Sequence, residues 1–352
     1  MNSAGHEFLK HLIDAPSPSG YEQAARAVWK HEVSKFVDDV RTDVHGNVIA
    51  NRNPTGSPRL MFAGHCDELG LQINYISDQG YLYFNTIGGH DPNLIAGRRV
   101  LVHTSNGPIR GVTGRRAIHL TPRTERGSAQ KIEDIWIDIG VNSMTEAEEL
   151  VRVGDSVTYD LGMSELRNGL AIARAFDNKV GAWVVAEALR RVDIKNCAAS
   201  VFSVATVQEE IGLRGAVTST FGIAPLVGVA VDVSHATDHP NINKVTAGNV
   251  SLTGGPVITR GANVNPVVEH LLIESADALD LSVQIEAEPR GTGTDANAIQ
   301  LTRSGVATGV VSVPLRYMHT PSEIISLEVA DQTADLLAEF ACRVTAETDF
   351  TP

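Results

Sequence analysis

The chain has 352 residues, 43% hydrophobic and 20% charged, which is the profile of a folded globular protein long enough for two domains. Its 29 Lys and Arg against 42 Asp and Glu give a net charge of -13, arguing against nucleic acid or an anionic membrane as the partner. No run approaches the ~18 apolar residues of a membrane helix, the first residues lack the basic and apolar regions of a secretion signal, and Cys66, Cys197 and Cys342 without CxxC spacing read as reduced thiols of a cytoplasmic protein.

Residues 3–14 and 21–37 carry helical periodicity and are separated by the loop Pro16-Ser17-Pro18-Ser19-Gly20. Short strands are expected over 48–50 and 59–63, the second leading into Gly64-His65-Cys66-Asp67-Glu68. From 69 to 166 apolar residues recur with period 2 over 71–76, 81–87, 100–103, 109–112, 135–139 and 157–159, divided by Gly-containing turns. This texture predicts a separate β-rich, barrel-like domain. Its 98–131 portion is basic, with Arg98, Arg99, Arg110, Arg115, Arg116, Arg123, Arg126 and Lys131. It reads either as a solvated face or as a contact for an acidic surface within an oligomer. No aromatic residues alternate with these arginines as they would on a single-stranded nucleic-acid platform.

After 167 strand and helix patterns alternate. Helix 177–192 is followed by strand 200–207, a helix from about 212 and a strand 226–232 ending at Asp232. Helices near 264–279 and 295–303 flank strand 282–286, and strand 307–314 leads to helix 326–345. Such alternation implies the α/β class, with a helix-covered mixed β-sheet. Residues 1–68 contain its opening elements, so one domain comprises 1–68 and 167–352, with 69–166 inserted.

The apolar run from Val201 ends abruptly in Gln208-Glu209-Glu210 and a Gly-containing turn. Ligands bind beyond the carboxyl ends of strands in such sheets. Two adjacent carboxylates repel unless one stays protonated or a positive charge lies beside them, and a bound cation is the simplest remedy. His65, Asp177, Glu210, Asp232 and His319 offer ligand atoms at turn or strand-end positions. Two imidazoles and three carboxylates suit a pair of zinc ions, or cobalt, better than magnesium or calcium. A pair about 3.5–4 Å apart needs a shared carboxylate, assigned to Asp177, and Glu209 is read as the general base. Asp67, two residues after His65, leaves the same strand face and is placed to accept the imidazole N–H. Cys66 between them faces away and reads as a packed thiol. Singly, His65 fits a core histidine, Asp177 a helix N-cap, Asp232 a turn and His319 a loop residue. Jointly, beside the Glu pair, they read as a metal centre.

Five stretches carry a resemblance: Gly64-His65-Cys66-Asp67-Glu68-Leu69-Gly70, Phe176-Asp177-Asn178-Lys179-Val180-Gly181, Gln208-Glu209-Glu210-Ile211-Gly212-Leu213-Arg214-Gly215, Asp232-Val233-Ser234-His235-Ala236 and Arg316-Tyr317-Met318-His319-Thr320-Pro321. In this order they resemble the M42 aminopeptidases, the glutamyl, leucyl, lysyl and deblocking enzymes that form tetrahedral particles. The resemblance implies that His65 and Asp232 bind one ion and Glu210 and His319 the other. It further implies Asp177 as the bridge, Glu209 as the catalytic carboxylate and Asp67 as the residue orienting His65. It also implies short peptide substrates, dimerisation through the inserted domain and a homododecamer. Gly291-Thr292-Gly293-Thr294-Asp295-Ala296 resembles the family's loop near the substrate pocket.

M20-type metallopeptidases share the His-x-Asp, the bridging Asp and the Glu pair, but their extra domain follows the Glu pair. Here the long insertion falls between Asp67 and Asp177. A glycoside hydrolase would need two acids about 5–10 Å apart across a sugar cleft, and the 5% aromatic content offers few stacking platforms. A non-catalytic scaffold of the same fold would not require an intact Glu209 and ligand set. The S1 pocket is expected to draw on 253–263 and 288–295, near His235, His239, Arg260 and Arg290, without a readable preference for the N-terminal residue.

Overall fold

The computed structural model describes residues 1–125, 127 and 129–352; Arg126 of the basic stretch lies outside them. A mixed sheet of 11 strands and a closed six-stranded barrel organise the chain. At the centre of the sheet four strands run parallel in the order Ser200–Thr206, Arg59–His65, Val227–His235 and Ala307–Arg316. Antiparallel strands Val48–Arg52 and Glu323–Ser326 flank them.

Side chains alternate across these strands, and each face is covered. Leu60, Phe62, Val229 and Val231 join one core with helices Ser3–Asp14, Gln23–Val33, Phe176–Arg191, Pro266–Ala278 and Leu327–Arg343. Met61, Ala63, Val204, Ala230 and Val310 join a second core with helices Arg214–Ile223 and Ala296–Ile299. Burial on both faces explains why the central strands read as apolar runs instead of alternating ones.

The barrel runs Gly70–Ile76, Leu82–Ile87, Trp136–Asp138, Gly107–Gly114, Arg99–Thr104 and Ser156–Tyr159 around its circumference. Leu71, Ile73, Leu82, Phe84, Val100, Val102, Ile137 and Val157 fill it, so the period-2 segments were the signal of a one-sided core. Closure also removes open strand edges.

The structure departs from the sequence reading in places. The strand expected to end at Asp232 continues through Val233 and Ser234 to His235. Polar residues break the apolar run there because that end of the strand borders a cleft. The helix expected over 295–303 is only Ala296–Ile299, and the strand expected over 282–286 is Gln284–Glu288. Strands Asp39–Thr42, Leu170–Ala173, Val257–Gly261 and Glu323–Ser326 were too short for their periodicity to register. Asp177 is not the helix N-cap: its φ of -76° and ψ of 104° are non-helical, as are those of Asn178, and the cap falls to Asn178. It is Asn178 Oδ1 that accepts the Gly181 N–H, at 3.0 Å.

A buried ionic knot ties the elements that carry His65 and Asp177. Glu68 pairs with Arg174 and, at 2.8 Å, with the fully buried Lys179. Lys179 also donates to the Ala15 carbonyl at 2.6 Å, and Glu68 accepts the Ser17 N–H at 2.9 Å. Burial would raise the Glu68 carboxyl, but the two cations outweigh it and hold it at about 2, against an ordinary 4.5. Its contribution is therefore complete above pH 4.5 and is lost as pH falls through 2. Removing one partner of a buried pair leaves an uncompensated charge. Glu68→Ala is expected to lower the unfolding free energy in urea near neutral pH by about 3–5 kcal/mol. A loss within about 1 kcal/mol, the range of an exposed pair, would deny the knot that role.

Candidate active site

The carboxyl ends of the parallel strands converge on one cleft of about 910 Å³. His65 closes strand Arg59–His65, paired with Thr206 on the neighbouring strand. On the other side Ala63 pairs with Ala230, so Asp232 and His65, each two residues further on, leave the same sheet face. The chain after Thr206 turns sharply, with Gln208 at φ 55° and Leu213 at φ 57°. Two buried carboxylates hold this turn. Glu22 Oε1 accepts the Gln208 N–H at 3.2 Å, and the two Asp67 oxygens accept the N–H groups of Glu209 and Glu210 at 3.1 Å each. Ser19 Oγ donates to Asp67 as well.

His65 Nδ1 lies 3.2 Å from the Asp67 carbonyl oxygen and 3.4 Å from its carboxylate. His65 Nε2 faces Asp177 Oδ1 at 3.4 Å, Glu209 Oε2 at 3.7 Å and Asp232 Oδ1 at 4.0 Å. On the opposite side, His319 Nε2 lies 3.3 Å from Asp177 Oδ2 and 3.7 Å from Glu210 Oε1. The two imidazoles thus address different oxygens of one carboxylate. Asp177 stands at the start of Phe176–Arg191, before a cis peptide bond to Asn178. Its backbone N–H donates to Glu323 Oε2 at 3.0 Å, while Glu323 Oε1 accepts the His319 N–H at 3.1 Å. One buried carboxylate therefore fixes two of the facing residues, and His319 is held at a left-handed φ of 59°.

Burial dominates the electrostatics. It pushes the Glu209 carboxyl up to about 10, aided by Asp232, Asp295 and Asp67 against the opposing charge of His65. Glu210 rises to about 8, through burial first and Asp177 next, and Asp232 to about 8 in the same way. Asp177 moves the other way: the two imidazoles outweigh burial and hold it well below the usual carboxylate range. His319 rises to about 9, chiefly through its hydrogen bond to Asp177. Asp295, which accepts from Thr206 Oγ1 at 2.6 Å, rises to about 6 through burial.

These residues fit divalent cations. His65, Asp177 and Glu210 offer ligand atoms within 4.8 Å of one another, and so do His65, Glu209 and Asp232. Glu210 Oε1 is buried with no hydrogen-bond partner, an arrangement that costs free energy unless something positive takes the oxygen. Imidazole nitrogens mixed with carboxylate oxygens form the donor chemistry of zinc-type sites. All seven residues singled out in the sequence (His65, Asp67, Asp177, Glu209, Glu210, Asp232 and His319) meet in this one region. Cys66 is fully buried, its thiol pushed up by burial.

Sequence reasoning missed Glu22, Asp295 and Glu323. Asp295 lay within a stretch already noted, but Glu22 and Glu323 carried no signal beyond being acidic. Of the expected pocket segments, Thr259, Glu288 and Thr292–Thr294 line the cleft, joined by 246–250 and 285–287, which were not anticipated. His235 lines it too, whereas Arg260 is exposed and paired with Glu269, its Nε at 2.6 Å.

Residues 46–336 match the sequence model of the M42 glutamyl aminopeptidase family. The lysyl aminopeptidase of Pyrococcus furiosus is 35% identical over 349 residues, which cover 98% of this chain and 99% of that one. Among solved structures, the TET aminopeptidase of a marine sediment archaeon of the Thaumarchaeota matches with a TM-score of 0.93 and 33% identity, covering 98% and 97% of the two chains. The TET1 peptidase of Pyrococcus horikoshii, which can assemble into a tetrahedron or a large octahedral shell, matches with a TM-score of 0.86 and 30% identity over 97% and 100%.

The raised carboxyls have a measurable consequence. In the metal-free protein Glu210, Asp232 and Glu209 keep protons that the unfolded chain, with ordinary values of 4.5 and 3.8, has released. Stability from this source is complete below those ordinary values and is lost as pH rises through about 8 and then about 10. His319, raised from 6.5 to about 9, acts in the same direction. The urea unfolding free energy of metal-free protein is expected to fall from about pH 5 to about pH 9. Excess zinc should flatten or reverse the trend, because metal binding displaces the protons. A metal-free protein that gains stability across this interval contradicts the assignment.

Proposed function

The chain belongs to the M42 glutamyl aminopeptidase family, a family of hydrolases, and from that premise we propose that it is a metal-dependent aminopeptidase releasing N-terminal residues from short peptides. The observation that carries the reading is the placement of Asp177 between two imidazoles, with Glu209, Glu210 and Asp232 buried around them. His65 and Asp232 would hold one divalent ion, Glu210 and His319 a second, and Asp177 both. The donor set favours zinc, with cobalt the next candidate.

When bound, two such ions supply Lewis acidity that lowers the pKa of water and draws charge from a scissile carbonyl. Glu209 takes the proton of the attacking water and passes it to the leaving amine. Its Oε2 lies 3.7 Å from His65 Nε2, beside the cluster that would hold the ions. Asp67 serves as a positioning residue: its carboxylate fixes the backbone of the Glu pair and lies against His65. The unpaired carboxylates in the cleft suit the free α-ammonium of a peptide N-terminus, which restricts the action to chain ends.

We read the protein as a cytoplasmic homo-oligomer, a dodecamer assembled from dimers, with 69–166 as the dimerisation domain of a catalytic domain formed by 1–68 and 167–352. The P. horikoshii TET1 assemblies support this reading, and no helix among the described residues is long and apolar enough to cross a membrane.

Two experiments test the chemistry. Glu209→Gln should reduce turnover of aminoacyl-p-nitroanilides by about 10²–10⁴-fold while the metal content per chain, read by mass spectrometry, stays at the wild-type value. Turnover like the wild type would remove Glu209 from the proton-transfer role. Chelation should abolish hydrolysis and added zinc or cobalt restore it; full activity of rigorously metal-free protein would refute metal dependence.

A further inference from the structure

The cleft extends from the imidazole and carboxylate cluster over strand Gln284–Glu288, where its wall carries Glu286 and Glu288. No lysine or arginine lines the cleft among the described residues. Glu286 accepts hydrogen bonds on both oxygens, from Thr259 Oγ1 at 2.9 Å and from Ser234 Oγ. Thr259 is buried and is the register neighbour of Glu286 across two parallel strands, so the carboxylate is held by regular backbone and not by a loop. Glu288 accepts the Arg290 N–H at 3.2 Å. Both acids are thus satisfied by hydroxyl and backbone donors, and neither is ion-paired to a lysine or arginine among the described residues.

The nearby arginines do not supply one. Arg260 follows Thr259 on its strand and so leaves the opposite face, where it pairs with Glu269. Arg290 lies outside the lining.

The spacing relates this wall to the reacting centre. Ser234 stands two residues beyond Asp232 on one strand, so their side chains share a face about 6.6 Å apart. Ser234 donates to Glu286, which puts the Glu286 carboxylate on the sheet face that carries Asp232. Ala247 and Val250 also line the cleft, apolar surface against which methylenes can lie while the charged end reaches a polar partner.

We propose that Glu286, with Glu288 on the same wall, is the specificity-determining residue for a cationic side chain, lysine or arginine, on the substrate's N-terminal residue. The assignment rests on the aminopeptidase reading. Two carboxylates without a cation attract an ammonium or guanidinium and repel glutamate or aspartate, so the site discriminates by repulsion as well as attraction.

The test compares kcat/KM of the metal-loaded enzyme for lysyl-, arginyl-, leucyl- and glutamyl-p-nitroanilide. The wild type should prefer the two cationic substrates over leucyl by roughly ten- to hundredfold, with glutamyl poorest. Glu286→Gln should lower the lysyl-to-leucyl ratio by roughly tenfold or more, mainly through KM, and Glu286→Lys should raise the glutamyl-to-lysyl ratio. Thermal unfolding of each variant reports folding, and Glu288→Gln gives a second lowering of the same ratio. A wild type that prefers leucyl or glutamyl, or a lysyl-to-leucyl ratio unmoved by Glu286→Gln, overturns the assignment. Equal losses on all four substrates also overturn it, because Glu286 would then serve the common α-ammonium. Hydrolysis of none of them would instead defeat the aminopeptidase reading itself.

Discussion

Asp177, Glu209, Glu210, Asp232 and Asp295 are all buried, or nearly so, around His65, and they cannot all carry charge without a cation among them. Burial raises four of the five, with acidic neighbours adding to it. Only Asp177, caught between two imidazoles, is held in the charged form. Such a cluster stores repulsion that a fold tolerates when its frame is rigid or its charge is balanced by ligands. The surrounding structure is understandable as that frame.

Three levels of support can be followed outward. The ends of parallel strands set His65 and Asp232 side by side, as their registers with Ser200–Thr206 and with each other require. Buried carboxylates outside the cluster then fix backbone instead of chelating: Glu22 and Asp67 hold the turn of the Glu pair, and Glu323 holds Asp177 to His319. Behind these, the Glu68–Arg174–Lys179 knot joins the loop after the first helix, the strand of His65 and the helix of Asp177. Each level uses acidic residues for a different task, so the surplus of acids in the composition is partly architectural.

How much was legible in the sequence follows from this division. The barrel was readable because its one-sided core writes period 2 into six segments, and the ligand-type residues because they interrupt apolar strands or follow them. Asp232 shows the limit: its strand continues to His235, but polarity facing the cleft looks like an ending. Glu22 and Glu323 act through backbone N–H groups distant in sequence, a geometry no local pattern encodes. The pocket wall at Glu286 was hidden for a related reason. Its strand is short, and its partners Ser234 and Thr259 lie on two other strands, so only the folded sheet reveals which nearby charges face the cleft.

The central claim is that Asp177 is shared between two divalent ions, one beside His65 and Asp232 and the other beside His319 and Glu210. Anomalous diffraction from crystals grown with zinc or cobalt, collected on both sides of the metal's absorption edge, tests it directly. Two peaks about 3.5–4 Å apart flanking the Asp177 carboxylate are predicted. A cleft without peaks, or ions bound elsewhere while His65 and His319 remain unligated, would contradict the account.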